Sequence, residues 1–204
     1  MSSPVVSNLA VSDIVEQPVR EQKLPGDLAM WFFILMELTV FAIFFIGFAI
    51  TQRLQPEMFS EGRATLSAAV GLFCTLSLII SSYFVARSVE AVKRGNNFSA
   101  KRQLVFALLT ASIYVVLKIT EYSALLELGF DISTNTFYTL YFFITGFHFM
   151  HVLLGMIILA YMAKRANNNA YQPSDCSGYE AGASYWHMVD LVWIIVFFLI
   201  YIIH

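Results

Sequence analysis

An all-α integral membrane bundle of five transmembrane helices is the fold this sequence predicts, and three observations predict it. The 204 residues are 58% hydrophobic and only 13% charged, whereas a soluble domain carries about 25% charged residues. The apolar residues are gathered into five long blocks, and the mean hydropathy is +0.69. Finally, the blocks are continuous, where the strands of a membrane barrel would alternate in segments of roughly 10 residues. A water-soluble fold would have to cover its surface with polar side chains that this chain does not possess.

The elements follow in order. Residues 1–27 are polar and mixed in charge, with no apolar stretch before Leu28, so a cleaved signal peptide of the usual arrangement is not expected. They read as a short tail, and Pro25-Gly26-Asp27 punctuates the entry to the first span. The remainder, 28–204, reads as one transmembrane domain. Its spans are Leu28–Ile50, Leu66–Val89, Leu104–Leu126, Phe137–Met162 and Tyr185–Ile203, each near the ~20 residues a helix needs to cross the hydrocarbon. Inside lipid every backbone polar group must bond within its own segment, so blocks of this length are helices.

Orientation follows from the lysines and arginines. The tail holds Arg20 and Lys23, the second connection Arg87, Lys93, Arg94, Lys101 and Arg102, and the fourth Lys164 and Arg165. The opposite side carries only Arg53 and Arg63. Basic residues accumulate on the cytoplasmic side, so the amino terminus is expected in the cytoplasm and the carboxyl terminus in the periplasm.

Composition also excludes functions. A net charge of -2 with 12 basic residues lacks the concentrated basic footprint of a nucleic-acid binder. Two cysteines, Cys74 in an apolar block and Cys176 in a polar loop, build neither a disulfide framework nor a four-thiolate metal site. No phosphate-cradling glycine loop and no GxSxG elbow is present.

Ionisable groups in a bilayer are costly, and each one retained is a functional hypothesis. Here they are Glu37 in span one, Lys118 and Glu121 in span three, His148 and His151 in span four, and His187 and Asp190 in span five, with Glu180 just before it. Three pairs are spaced i, i+3, which puts both partners on one helix face. Lys118 with Glu121, and His187 with Asp190, either neutralise each other for function or simply hold helices together. Glu37 has no partner in its own helix; it meets another helix, stays protonated, or binds something. His148 and His151 share a face and cannot both be axial ligands of one haem, which leaves either of them with His187 for a single haem. Gly146 and Gly155 permit close helix approach, or serve packing alone. Trp186 and Trp193 suit anchoring at the membrane interface, although Trp193 lies deep for that role.

The motifs resemble one family in order along the chain. Gly146-Phe147-His148-Phe149-Met150-His151-Val152, with Gly155, looks like the "GFHGLHV…G" signature of haem–copper oxidase subunit III. Tyr185-Trp186-His187-Met188-Val189-Asp190-Leu191-Val192-Trp193 is similar to its "YWHFVDVVW", and Glu180-Ala181 to the lead-in of that motif. Thr120-Glu121-Tyr122 resembles "SEYY", and Phe33 to Phe41 resembles "FIISEVLFF", which puts Glu37 at the intramembrane carboxylate. The resemblance runs from about Leu24 to the end, and matches the last five spans of the seven in long members. Lys118 stands where the mitochondrial-like pattern has a neutral residue. The start, Leu24 to Phe32, looks most like the short NorE-type accessory protein found beside nitric oxide reductases.

The resemblance implies an accessory subunit with no active site, haem or metal of its own. Haem with copper or iron would belong to a partner catalytic subunit I, with subunit II or its counterpart alongside, in a bacterial inner membrane. Stability, phospholipid retention and support of proton uptake would be its contributions to electron transport. Glu37, Glu121, His148, His151, His187 and Asp190 would then be lipid- or proton-related, and Lys118, Gly146, Gly155, Glu180, Trp186 and Trp193 structural. A small b-type cytochrome and a small proton-coupled transporter are the rival expectations.

Overall fold

A computed structural model describes residues 28–171 and 176–203. The tail, Pro173 in the fourth connection and the last residue lie outside the described residues, so the reading of 1–27 as a tail is not addressed. Among the described residues six α-helices follow one another: α1 Leu28–Leu54, α2 Pro56–Ala64, α3 Ala68–Lys93, α4 Asn97–Glu127, α5 Thr136–Asn167 and α6 Ser177–Phe197. All but α2 are long and apolar enough to cross a membrane. The chain is a multi-pass membrane protein.

The helices outrun the apolar blocks that predicted them. α4 begins at Asn97 and α5 ends at Asn167, because backbone hydrogen bonds continue into polar residues once a helix has been nucleated. Arg87 and Lys93 therefore belong to α3, and Lys101 and Arg102 to α4, leaving a connection of three residues. Gly95, at φ 74°, makes that tight turn: its amide reaches Val92 O at 2.8 Å and that of Asn96 reaches Ala91 O at 2.9 Å. Asn96 Oδ1 then accepts from the Ser99 amide, capping α4. α6 starts at Ser177, eight residues before the expected Tyr185.

α3, α4, α5 and α6 form a closed ring in which each helix packs on two neighbours, the arrangement of a four-helix bundle. α1 lies outside this ring against α6 and α5. It buries only Ile34, Phe41 and Phe48, one face at a spacing of seven, while Phe32, Leu35, Ile43, Ile46 and Ile50 stay exposed as lipid-facing side chains do.

The short helix α2 was not expected from the apolar blocks. Pro56 occupies its first turn, where a missing N–H costs nothing. Phe59 and Gly62 are its buried residues. Phe59 stacks edge-on with Phe48 and Phe137 at 5.0 and 5.3 Å, and a Cβ on Gly62 would overlap the Phe137 ring. This helix closes the end of the bundle between α1 and α5.

The last helix ends in a wide turn, Phe198–Ile202, with the Ile203 amide bonding to Phe198 O at 2.9 Å. One extra residue per turn rotates the following side chains relative to a regular helix. Tyr201 lies in that turn and is carried inward.

Candidate functional site

Lys118 is completely buried, at 0% exposure, and its ammonium has three hydrogens to satisfy. It donates to Glu121 Oε2 at 2.6 Å, to Tyr141 Oη at 3.0 Å and to Tyr201 Oη at 3.1 Å. All three are used. The Tyr201 hydroxyl donates in turn to Glu121, 2.9 Å from Oε1. The rings of Tyr122, Tyr141, Trp193 and Tyr201 surround the ammonium with centroids 4.8 to 5.7 Å away, adding attraction between cation and ring faces. Residues of α4, α5 and the final turn thus meet at one charge.

Glu37 finds its partner on another helix. His151 Nδ1 lies 2.8 Å from the Phe147 carbonyl, and a carbonyl only accepts, so Nδ1 carries a hydrogen. His151 Nε2 is 3.0 Å from Glu37 Oε2. One proton must lie between these two atoms: on the carboxyl, facing a neutral imidazole, or on the imidazole, facing a carboxylate. Both states have zero net charge, so the pair holds a proton without placing an uncompensated charge in the bilayer. The side chains keep 11% and 15% of their exposure, and beside His151 lies an apolar groove formed with Met150, Leu154 and Ile157.

The other histidine of the motif behaves differently. His148 is fully buried between Phe41, Tyr114 and Trp193. Among the described residues neither ring nitrogen has a hydrogen-bond partner, and neither does the Tyr114 hydroxyl beside it. Both histidines still border Phe41, as their shared helix face requires.

His187 and Asp190 do not bond to each other as their spacing suggested. His187 Nδ1 instead meets Ser82 Oγ at 2.5 Å, a contact between α6 and α3, while Asp190 Oδ1 has no hydrogen-bond partner among the described residues. The i, i+3 spacing aligned the two side chains on one face, but Ser82 projects from α3 into that face and takes the imidazole. The three intramembrane histidines thus face three different environments, and His187 opens on the groove between α3 and α6. Among the described residues no group of three His, Cys, Asp or Glu could hold a metal ion.

The remaining residues singled out in the sequence divide into those that sit as expected and those that do not. Glu180 is in the first turn of α6, not before the helix, and pairs with Lys93 at 2.8 Å; the positive end of the helix dipole favours it there. Gly155 is a close-approach position, since a Cβ would lie 2.7 Å from Trp186 Cε3. A Cβ on Gly146 would meet nothing within 4 Å among the described residues. Trp186, 1% exposed, is packed on Gly155 and is no interface anchor. Trp193 is fully buried too, donating from Nε1 to Thr75 Oγ1 at 3.1 Å. Cys74 and Cys176 are both free thiols.

Sequence reasoning missed the partners contributed by hydroxyls: Tyr141, Tyr201, Ser82 and Thr75. For the last two a signal existed. Thr75 and Ser82 are seven apart, so they share one face of α3, and that face receives Trp193 and His187 of α6.

Fold and site together define a polytopic helix bundle whose intramembrane charges are met by neighbouring helices. Residues 22–204 match the family model described as cytochrome c oxidase subunit III. Among curated relatives, cytochrome c oxidase subunit 3 of Corynebacterium diphtheriae is 33% identical over 143 residues, 70% of each chain. The probable cytochrome c oxidase subunit 3 of Mycobacterium tuberculosis is 33% identical over 129 residues, 63% of this chain and 64% of the relative. Cytochrome c oxidase subunit 3 of Synechocystis is 28% identical over 172 residues, 84% and 72% respectively. This chain belongs to the cytochrome c oxidase subunit III family.

Proposed function

We propose that this chain is the non-catalytic subunit III of a haem–copper oxidase in a bacterial plasma membrane. The family match over residues 22–204 carries the proposal. In this reading the chain packs against a catalytic subunit I that holds the haem and copper, with subunit II at hand, and its basic connections face the cytoplasm. Its own residues do three things. The Lys118–Glu121 cluster holds α4, α5 and the final turn in one register. The groove at Met150, Leu154 and Ile157 retains phospholipid chains. The Glu37–His151 pair keeps one exchangeable proton beside that groove.

The geometry gives less support to the rivals. A haem between His187 and a span-four histidine would need two imidazole nitrogens facing each other across its plane, whereas His187 faces Ser82, His151 faces Glu37, and His148 is enclosed by Phe41, Tyr114 and Trp193. A transporter relay between Glu37 and Lys118 would need the two groups to communicate, whereas Lys118 is saturated by Glu121, Tyr141 and Tyr201.

Purification of the native complex in mild detergent tests the reading. Co-migration with a haem- and copper-containing subunit is expected. Migration as a free chain, with oxidase subunits intact elsewhere in the gradient, would overturn it. Co-migration with a haem–iron nitric oxide reductase would move the chain to the NorE-type branch of the resemblance.

A further inference from the structure

The end of the bundle that carries α2 has two basic side chains, Arg53 and Arg63, and the fold brings both to one cavity of about 710 Å³. Arg53 comes from the last turn of α1 together with Gln52. Ser60 and Arg63 share a face of α2 at a spacing of three. The acids of this helix, Glu57 and Glu61, are exposed to solvent and do not line the cavity. The ion pairs among the described residues use Arg87, Lys93, Arg94, Lys118 and His151; neither of these arginines takes part in one.

Arg63 is held in place and left unsatisfied. Its Nε donates to the Ile200 carbonyl at 3.1 Å, which fixes the plane of the guanidinium, while Nη2 is buried with no hydrogen-bond partner among the described residues. The guanidinium keeps its charge at any ordinary pH, and as part of the cavity wall it favours an anionic group there. The remaining wall is apolar, with Ala49 on α1 and Leu199 in the final turn. Cationic and donor groups at one side and an aliphatic wall at the other describe a receptor for an amphiphile.

We propose that this cavity binds the phosphodiester of an anionic phospholipid headgroup. Arg53 and Arg63 are the cationic contacts, and Gln52 and Ser60 supply further hydrogen-bond donors. The site is distinct from the Glu37–His151 pair, which lies 16 residues earlier on α1 and hence roughly 24 Å along the helix axis. It depends on the chain spanning a membrane and not on which catalytic subunit it joins.

The test uses the full chain, with the subunits that co-purify, delipidated in detergent and titrated with dioleoylphosphatidylglycerol while bound lipid is counted by native mass spectrometry. Each arginine near an anionic headgroup is expected to contribute about fivefold in affinity. Arg53→Gln should therefore weaken phosphatidylglycerol binding about fivefold and Arg53→Gln/Arg63→Gln about 25-fold, while dioleoylphosphatidylcholine, whose choline cation offsets the charge of the same phosphodiester, binds wild type more weakly and loses less on either substitution. Equal phosphatidylglycerol binding by wild type and the double variant would overturn the proposal, as would equal binding of the two lipids by wild type. Displacement of the lipid by inorganic phosphate, with phosphate itself retained by wild type only, would overturn the headgroup as the source of the anion. Where the double variant fails to assemble, Arg53→Gln alone decides, because Arg53 is exposed and bonds to no described residue. Haem content of the same preparations reports the oxidase partnership separately.

Discussion

Glu121 and Glu37 are both carboxylates within the bilayer, and both face a nitrogen base. Their surroundings differ. Glu121 lies inside the four-helix ring at 7% side-chain exposure, against a lysine at 0%, and every hydrogen of that lysine is engaged. Glu37 sits on the helix outside the ring and reaches across a seam that remains partly open, beside an apolar groove. The sealed pair is built so that nothing can be exchanged without breaking the bundle. The seam pair keeps 11% and 15% of its side-chain exposure and rests on a helix that the ring does not need for its own closure. Position relative to the ring, more than residue type, separates a structural charge from an available one.

The largest test of this contrast is to strand the lysine. Replacing Glu121 by Leu leaves a buried ammonium with only hydroxyls to face, and breaking one partner from such a pair costs about 3–5 kcal/mol. Glu121→Leu should therefore abolish recovery of the folded chain, or lower its thermal midpoint in detergent well below wild type. Lys118→Met/Glu121→Leu should recover most of that loss, since an apolar replacement of the whole pair is close to neutral. If the single variant melts with wild type, the cluster is not the clamp described here, and the contrast with Glu37 collapses.

Glu37→Ala should do less to stability and more to function. A hydrogen bond between membrane helices averages about 0.6 kcal/mol, and α1 retains its buried Phe41 and Phe48 contacts. Assembly with the partner subunits should thus be near wild type. Co-purified phospholipid and the persistence of activity over repeated turnover should fall, while Glu37→Gln, which keeps a hydrogen-bonding group but no exchangeable acid proton, should retain lipid and lose the turnover effect. Failure of Glu37→Ala to assemble at all would place Glu37 with Glu121 as a structural residue.

The contrast explains which parts of the molecule were legible in the sequence. The five spans were, because continuous apolar blocks of that length admit one backbone solution in lipid. The Lys118–Glu121 pair was legible as well, since both partners lie on one helix at i, i+3. The partner of Glu37 was not, as His151 is 114 residues away and no local spacing encodes a contact between helices. His187 and Asp190 show the converse: their spacing fitted a pair, but Ser82 arrives from another helix and changes the outcome. α2 was hidden because its nine residues bury only Phe59 and Gly62, too little apolar surface to register as a block. Tyr201 reaches Lys118 through a wide final turn, a backbone feature that residue types do not announce.

Asp131, in the loop between α4 and α5, supplies the third environment, a carboxylate in water, and the smallest expected effect. The Ser133 hydroxyl donates to its Oδ1 at 2.7 Å, the Ser133 amide at 2.8 Å and the Thr134 hydroxyl at 3.1 Å. These bonds, the Ser133 hydroxyl foremost, hold the Asp131 carboxyl below its ordinary 3.8. A carboxyl lowered on folding contributes stability above its unfolded value, and that contribution fades as pH falls through the lowered folded value. The window therefore lies below about pH 4, and at neutral pH the turn is at full strength. Hydrogen exchange of the Ser133 amide should be faster in Asp131→Ala than in wild type at pH 6, and the ratio of the two rates should approach one as the medium becomes strongly acidic. The thermal midpoint of the bundle should not move, because the charge is fully solvated and the loop lies outside the ring. A shift of the midpoint as large as that in Glu121→Leu would mean that burial is not what ranks these three carboxylates.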